Sequence, residues 1–379
     1  MFDLNNSIAS KLALIMLLAA LGSCKSQEST KVEDEVQQQA STPAYETNIF
    51  NESPRGIPND DFVELFYDGQ VAHWVRAIAE DADGNIWMGT NHYGLIRHDG
   101  EKLEYFSEPE GVGNGRINAM VLDDQGVLWV ATAGGLTKYE NDTFTNYTTE
   151  DGLTDNGVYG LYLDKQGRLW LGTLKGVCYM EDGVFKNFEV PKPEVANADP
   201  SLSEEGIMGI FQDSKGQFWF SHDGQGITIY DGKEFRFLTT EDGLHDNKAG
   251  GFYEDKQGGI WLSSMNGGMS RYDGGTFTHF TNSGIIKGVE TSGVYEDSKG
   301  DLWFAAEHVG VYRYDGESFE LFNEEQGLIS QGIIAFYEDS SKGRFWMGGW
   351  KGLFRFDRKA HERGEKSFTA VTQMEGPWD

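Results

Sequence analysis

The segment Glu254–Phe280 has the sequence EDKQGGIWLSSMNGGMSRYDGGTFTHF, and the rest of the chain repeats its pattern. Its short apolar runs are separated by turns rich in Gly and Asp, which is typical of strands joined by hairpins. A period of about forty residues with four short strands is that of a β-propeller blade. The sequence therefore predicts an all-β protein, a seven-bladed β-propeller of four-stranded antiparallel blades. The central tryptophan recurs at intervals of 42, 41, 49, 42, 42 and 43 residues, as Trp87, Trp129, Trp170, Trp219, Trp261, Trp303 and Trp346.

The composition restricts the possible partners. The 379-residue chain carries 61 acidic and 31 basic residues, a formal net charge of −30. Nucleic acid requires a basic surface, and an anionic membrane surface would repel such a chain. Two cysteines, Cys24 and Cys178, are too few for a disulfide framework. We predict a soluble, self-repelling surface and no nucleic-acid partner.

The first 60 residues carry the signals of export. Residues 12–21, LALIMLLAAL, are too short to span a bilayer but suit the core of a signal peptide. The following Leu21–Cys24 resembles the bacterial lipoprotein box, in which the cysteine is lipidated and becomes the mature N-terminus. An ordinary secretory peptide, or a buried strand with a chance cysteine, is the alternative. We predict a signal peptide over 1–23, lipidated Cys24 with a disordered tether over 24–60, and the propeller over 61–379. The protein would then be attached to the cell envelope by lipid alone, at the periplasmic face or outer membrane.

A propeller needs a strand that closes its ring and removes the free edge of the last blade. Residues 62–66, FVELF, match the fourth strand of later repeats yet precede the first complete repeat. Residues 367–371, SFTAV, follow a polar insertion over Arg358–Lys366 and are the alternative. We expect the N-terminal strand to close the ring.

Positions that recur in every repeat should be architectural. An aspartate precedes a glycine by three residues in six repeats and by four in the last, which is typical of hairpin turns. Calcium loops are disfavoured, because each turn has too few carboxylates to bind the ion. A small residue four positions earlier should mark an innermost strand buried on both faces, and the tryptophans should pack between blades. Cys178 should be a buried, inert thiol. The small residues are Ala77, Ala119, Gly160, Gly209, Gly251, Gly293 and Ala335.

Function should be found where the repeats differ. In a propeller, the starts of the innermost strands and the turns between second and third strands open on one face, which we call the mouth. Its cationic and aromatic residues would attract an anionic ligand, although any ring of loops carries some cations. The sector that joins Trp350 and Lys351 to Trp74 and Arg76 is the most favoured, and the loop Pro191–Gly206 is a candidate lid. The candidate ligand-binding residues are Trp74, Arg76, His92, Tyr93, Arg116, Asn118, Tyr159, Lys175, His222, Lys248, His308, Trp350 and Lys351.

Signals of catalysis are weak. His92, His222 and His308 occupy one type of turn, but their blades are the first, fourth and sixth, so a zinc site is disfavoured. The sequence has no P-loop, dinucleotide fingerprint or nucleophile elbow. We predict no cofactor, no metal and no catalytic residue.

The repeat pattern EDxxGxxWxxT, GLxRxDG and FxxF, with EDGL at Glu150–Leu153 and Glu241–Leu244, resembles the two-component regulator propeller repeat over about residues 61–379. The resemblance implies a periplasmic sensor domain, often for oligosaccharides. Nothing after Asp379 offers the membrane helix or kinase of such a receptor, so signalling is not implied. The streptogramin lyases are similar seven-bladed propellers with magnesium-assisted elimination chemistry.

These observations lead to one expectation with two alternatives. We expect a monomeric envelope lipoprotein that binds an anionic or carbohydrate ligand, or a partner protein, at the mouth. A metal-dependent lyase and a protein-interaction scaffold are the alternatives.

Overall fold

A computed structural model describes residues 69–339 and 343–373. In these residues, 28 strands form seven four-stranded antiparallel sheets, each with its strands in sequence order. The innermost strand of the first blade packs against the innermost strands of the second and the last, so the sheets form a ring. The predicted seven-bladed propeller is thereby confirmed. The signal peptide, Cys24 and the tether lie outside the described residues.

The strands of the first four blades, from the innermost outward, have the following bounds. Blade 1 contains β1 (Val75–Glu80), β2 (Ile86–Thr90), β3 (Leu95–His98) and β4 (Leu103–Phe106). Blade 2 contains β5 (Ile117–Leu122), β6 (Leu128–Thr132), β7 (Gly135–Glu140) and β8 (Thr143–Tyr147). Blade 3 contains β9 (Val158–Leu163), β10 (Leu169–Thr173), β11 (Gly176–Glu181) and β12 (Val184–Phe188). Blade 4 contains β13 (Ile207–Gln212), β14 (Phe218–His222), β15 (Gly226–Tyr230) and β16 (Phe235–Leu238).

The last three blades follow the same order. Blade 5 contains β17 (Ala249–Glu254), β18 (Ile260–Ser264), β19 (Ser270–Asp273) and β20 (Thr276–His279). Blade 6 contains β21 (Tyr295–Glu296), β22 (Leu302–Ala306), β23 (Gly310–Tyr314) and β24 (Phe319–Phe322). Blade 7 contains β25 (Ile333–Glu338), β26 (Phe345–Gly349), β27 (Gly352–Phe356) and β28 (Phe368–Val371), with helix α1 (Arg358–Glu362) before β28. None of the helices in the described ranges is long and apolar enough to cross a membrane.

The repeated aspartates and tryptophans form one unit in every blade. In blade 3, Asp164 Oδ1 accepts hydrogen bonds from the backbone N–H groups of Gln166 and Arg168, while Oδ2 accepts one from Trp170 Nε1 at 2.8 Å. The turn glycine, Gly167, has a φ of 77°, which a residue with a Cβ adopts at a cost. The predicted hairpin chemistry is confirmed. The hydrogen bond from the Trp170 indole also links Asp164 to a residue six positions later, and a hairpin turn by itself does not require this contact.

The same Asp–Trp hydrogen bond occurs in all seven blades. Six of the bonds measure 2.8 to 3.0 Å and the seventh, from Trp346 to Asp339, measures 3.4 Å. The indole rings pack across blade boundaries, as when Trp87 contacts Tyr139 of blade 2 with a centroid separation of 4.6 Å. The predicted inter-blade position of the tryptophans is confirmed. Cys178 is buried among such contacts, and burial raises the pKa of its thiol.

The small residues of the innermost strands allow close approach of neighbouring blades. A Cβ added to Gly251 would lie 2.6 Å from the Cα of Gly293. A Cβ on Gly209 would lie 2.7 Å from the carbonyl oxygen of Gly250. The expectation that these strands are buried on both faces is wrong for most blades, because the central channel leaves part of each strand uncovered. Of the large residues next to the small ones, Ile210 and Phe336 are buried, whereas the others are half-buried: Ile78, Met120, Leu161, Phe252 and Val294.

The ring is closed by the C-terminal strand, which corrects the expectation from the sequence. β28 pairs with β27 from Leu353–Val371 to Phe356–Phe368 and takes the fourth position of blade 7. Gln70 then forms a bridge with Thr372, and Gln373 N donates to Gly69 O at 2.8 Å. The segment 62–66 lies outside the described residues. The polar insertion includes α1 and brings the chain back to the blade edge, where Phe368 and Val371 are buried.

Candidate functional site

The first and last blades meet at the mouth through two tryptophans. Trp74, just before β1, forms an antiparallel bridge with Trp350, just after β26. Their ring centroids lie 5.6 Å apart at an interplanar angle of 74°. Lys351 N donates to the carbonyl of His73 at 2.8 Å. The predicted proximity of these residues is confirmed.

A polar chain continues from this pair across blade 1. The Arg76 guanidinium lies 5.1 Å from the centroid of Trp74, its Nε donates to Ile117 O at 3.0 Å, and its Nη1 donates to Asn91 Oδ1 at 3.3 Å. The Asn91 amide nitrogen lies 2.7 Å from His92 Nε2 and donates to it, which makes this ring nitrogen an acceptor. Burial and the positive charges of Arg116, His73 and Arg76 lower the pKa of His92. His92 is therefore a neutral acceptor beside two cations.

Blade 2 adds buried polar atoms that have no hydrogen-bond partner among the residues that the structure describes. The Arg116 guanidinium lies 5.6 Å from the Tyr159 ring centroid, and its buried Nε makes no hydrogen bond. Asn118 Nδ2 donates to Val158 O at 2.8 Å, whereas its buried Oδ1 is unpartnered. Trp74 Nε1 is also buried and unpartnered. Buried polar groups are normally satisfied, so three such atoms at one end of neighbouring strands indicate a place for a ligand.

The part of the chain that the structure describes provides no carboxylate partner for the arginines of this region. Among the described residues, neither Arg76 nor Arg116 pairs with a carboxylate, and each raises the local positive potential felt by the other. Burial and then Arg116 lower the pKa of Arg76 to about 10. Seven other arginines do pair with Asp or Glu: Arg97, Arg168, Arg271, Arg313, Arg344, Arg358 and Arg363.

Blade 6 presents the opposite charge to the same mouth. Glu307 N donates to Glu290 O at 2.9 Å, and the two carboxyl groups share a hydrogen bond. Burial, followed by this hydrogen bond and the charge of Glu307, raises the pKa of Glu290 to about 7. Together with Trp74 and Trp350 the two glutamates line a cavity of about 120 Å³. Neither glutamate is among the candidate ligand-binding residues, because the two lie on different segments and the sequence does not show that their carboxyl groups meet.

Three of the other predicted residues are held by partners of their own, and a fourth, Tyr93, is buried. Lys175 Nζ lies 3.1 Å from Asp155, and Lys248 Nζ lies 2.8 Å from Asp199. Tyr93 is buried, which raises the pKa of its hydroxyl to about 12. Lys351 Nζ donates to Ile329 O at 3.2 Å.

His222 belongs to the interior of blade 4. Its ring is buried, and Nε2 lies 2.8 Å from Thr228 Oγ1, which itself donates to Pro191 O. The Thr228 proton is thus used, so His222 Nε2 is the donor of this pair. Burial and then Lys192 lower the pKa of His222 to about 4. His222 and Lys175 also line a separate pocket of about 310 Å³ between blades 3 and 4.

The predicted lid, Pro191–Gly206, is fastened to blade 4. The buried Asp223 carboxylate accepts hydrogen bonds from the backbone N–H groups of Ser201, Leu202 and Ser203 at 2.9, 2.5 and 3.0 Å. Gln225 Nε2 donates to Glu204 O at 2.6 Å. These bonds hold the loop in one conformation.

The three histidines of the mouth turns have separate surroundings. His308 is exposed, has a φ of 61°, and its ring lies 6.2 Å from that of Trp350. His92 bonds to Asn91, and His222 is enclosed in blade 4. Across residues 69–339 and 343–373, no group of three or more His, Cys, Asp or Glu side chains is arranged to hold a metal ion.

Three segments of the chain match the family model of the two-component regulator propeller: residues 69–92, 111–134 and 152–175. Each includes an innermost strand, the Asp–Trp turn and the second strand of a blade. These three segments are similar to the two-component regulator propeller repeat. No curated protein matches the chain.

Solved structures share the propeller fold of these repeats. One is described as the extracellular domain of a hybrid two-component system from B. thetaiotaomicron, with 23% identity and a TM-score of 0.63; the match covers 74% of this chain and 39% of that one. The chain thus spans about two fifths of that relative. PorZ, a surface component of the type-IX secretion system of Porphyromonas gingivalis, has 16% identity and a TM-score of 0.58. The match covers 76% of this chain and 47% of the PorZ chain. Virginiamycin B lyase of Staphylococcus aureus has 14% identity and a TM-score of 0.57. The match covers 76% of this chain and 95% of the lyase chain. At these identities the likeness shows the fold.

Proposed function

We propose that this propeller is an extracellular or envelope binding module that takes up an anionic ligand at its mouth and catalyses no reaction. The observation that carries the proposal is the pair Arg76 and Arg116, whose charges no carboxylate of the described residues neutralises. In a chain with a net charge of −30, seven other arginines of the described residues pair with Asp or Glu, whereas Arg76 and Arg116 do not. A ligand carboxylate, sulfate or phosphate would supply the missing counter-charge.

The surrounding polar atoms suit such a ligand. Arg116 Nε and Trp74 Nε1 are unpartnered donors, and Asn118 Oδ1 is an unpartnered acceptor. The Tyr159 ring beside Arg116 offers an apolar face on which a sugar ring can stack. An acidic carbohydrate would use both the charge and the ring. The sensor-like propeller repeat supports a binding role in general.

The test compares anions on the purified full-length chain by calorimetry and thermal shift. Sulfate, phosphate and glucuronate are the probes, and glucose is the uncharged counterpart of glucuronate. A ligand at a hundredfold excess over its Kd should stabilise the fold by about 2.7 kcal/mol. We expect Arg76→Gln and Arg116→Gln each to weaken anion binding by roughly tenfold or more, since a charge-assisted bond is lost.

Arg363→Gln is the matched control, because Arg363 is an exposed arginine paired with Glu365. It makes the same change of net charge away from the mouth and should leave binding unchanged. If none of the three anions binds, or if Arg363→Gln weakens binding as much as Arg116→Gln, the proposed anion site is wrong.

The envelope location is part of the proposal and rests on Leu21–Cys24. A lipidated Cys24 would hold the propeller at a membrane without a spanning helix. In a Gram-negative host, Cys24→Ala should move the protein from the membrane fraction to the soluble fraction and abolish incorporation of labelled fatty acid. Continued labelling of the Cys24→Ala variant would exclude this anchor.

Two other functions remain as outcomes of the binding experiment. Virginiamycin B lyase shares the fold, so loss of an added probe that depends on magnesium would indicate a lyase. Capture of a partner protein that survives Arg76→Gln and Arg116→Gln but not changes at the outer rim would indicate a scaffold.

A further inference from the structure

A cavity lies beside the proposed anion site, on the blade 6 side of Trp74. The cavity of about 120 Å³ is lined by Trp74, Trp350, Glu290 and Glu307, with the backbone of blade 7 behind them. Trp74 is common to both places, because Arg76 lies 5.1 Å from its ring centroid. The cavity and the arginines therefore adjoin each other.

The two carboxyl groups of the cavity have no lysine or arginine partner in the described part of the chain. Within the described residues, neither Glu290 nor Glu307 pairs with a lysine or arginine, and the nearest basic atom to Glu307 is His308 Nε2 at 3.9 Å. The two groups hydrogen-bond to each other, an arrangement in which one carboxyl group retains a proton. A bound monovalent cation would take the place of that proton and offset one of the two carboxylate charges.

The aromatic walls are fixed in position by their own contacts. A Cβ added to Gly332 would lie 3.4 Å from Trp350 Cγ, so the Trp350 ring rests on the Gly332 backbone. The Trp74 ring lies nearly perpendicular to it at 5.6 Å. Trp350 is 38% exposed and presents part of its ring to solvent. Indole faces attract organic cations, and two of them beside two carboxyl groups form a partial aromatic cage.

We propose that this cavity binds an ammonium group of the ligand. The inference rests on the proposed function: the anionic group of the same ligand would lie at Arg76 and Arg116, so the ligand would be zwitterionic. An organic cation fits these walls better than a divalent metal ion. Calcium requires six to eight oxygen ligands, whereas the cavity offers two carboxyl groups, two indole rings and the hydroxyls of Thr291 and Ser292, which already accept backbone hydrogen bonds.

The experiment uses choline as the cationic probe and 3,3-dimethylbutan-1-ol as its uncharged counterpart of the same shape. Binding to the full-length chain is measured by calorimetry and by tryptophan fluorescence. We expect choline to bind at least about tenfold more tightly than the alcohol, because only the cation interacts with the carboxyl groups and indole faces. Glu290→Gln, Glu307→Gln and Trp350→Leu should each reduce choline binding. Glu365→Gln, which removes a negative charge from an exposed pair, should not.

To distinguish the two sites, each probe is tested on the variants of both sites. Arg116→Gln should weaken sulfate binding roughly tenfold or more and leave choline binding intact, whereas Glu307→Gln should weaken choline binding and leave sulfate binding intact. Saturating sulfate should leave choline affinity equal or higher. If sulfate binds through the arginines but choline does not bind, or choline binding survives both glutamate changes, the ammonium site is wrong and the anion site stands. If choline binding depends on the glutamates while no anion binds, the ammonium site stands alone and the zwitterionic ligand is excluded.

Discussion

The two faces of the ring follow opposite rules. On one face, seven Asp–Trp turns repeat the same bonds, and their aspartates are satisfied by indole and backbone donors. On the mouth face, the corresponding turns differ in every blade, and no oppositely charged Lys, Arg, Asp or Glu of the described residues pairs with Arg76, Arg116, Glu290 or Glu307. The repeated residues thus complete their interactions within the protein, whereas these four unrepeated residues leave charge open to a ligand. The repeated Asp–Trp turns therefore stabilise the fold, and the unpaired charges of the mouth are available for binding.

The largest effect should come from breaking one Asp–Trp turn. Burial would raise the pKa of Asp164, but bonds from Trp170, Arg168 and Gln166 hold it below its usual range. Asp164→Ala would leave the buried Trp170 indole and two backbone N–H groups without an acceptor. We expect a loss of about 3 kcal/mol in the free energy of unfolding, measured by urea denaturation.

Asp99→Ala is the matched control for this change. Asp99 accepts hydrogen bonds from Glu101 and Lys102 in an exposed hairpin, so its loss should matter little. If both variants lose the same stability, the indole bond is not what distinguishes the repeated turns.

The second-largest effect is a pH dependence of stability that comes from His222. It tests whether this residue is part of the interior of blade 4 or is available to a ligand at the mouth. Its folded pKa is lowered from 6.5 to about 4, so between these values the unfolded state binds the proton more readily. This contribution to stability is present above pH 6.5 and is lost as the pH falls toward 4. Roughly 2 kcal/mol of it should disappear between pH 7 and pH 5.

His222→Gln should remove that share of the pH dependence, whereas His308→Gln, at an exposed position, should retain it. The measurement is urea unfolding of the three proteins at pH 7 and pH 5. An unchanged slope in His222→Gln would mean that the imidazole is not held neutral by blade 4 and would return it to the candidate ligand-binding residues.

The smallest effect concerns the carboxyl pair at the mouth. The pKa of Glu290 is raised from 4.5 to about 7, so the folded state retains the proton and stability falls as the pH rises through this range. Glu290→Gln should therefore raise the melting temperature at pH 8 and leave it unchanged at pH 5. The residue is exposed enough that we expect a gain below about 1 kcal/mol. A destabilised variant at pH 8 would show that the ionised pair already has a cationic partner.

The sequence predicts the repeated part of the molecule better than the mouth. The spacing of Trp87 and its six counterparts determines blade number, and Trp350 beside Trp74 follows from ring closure. The pairing of Glu290 with Glu307, and the enclosure of His222, depend on how two segments meet across a blade. Such contacts have no period and leave no signal in one sequence. The closing strand was wrongly predicted because two segments carry similar alternation and only the structure shows which one pairs with β27.

The bridge between Gln70 and Thr372 brings the two ends of the propeller together. Each blade consists of four strands that are consecutive in the chain, so no blade is assembled from both ends. A circular permutant that joins these ends by a short linker and opens between any two blades would keep every strand pair intact. In the natural order, however, a ribosome must finish β28 before the last blade has its outer edge, so the ring can be completed only after the whole propeller has been synthesised.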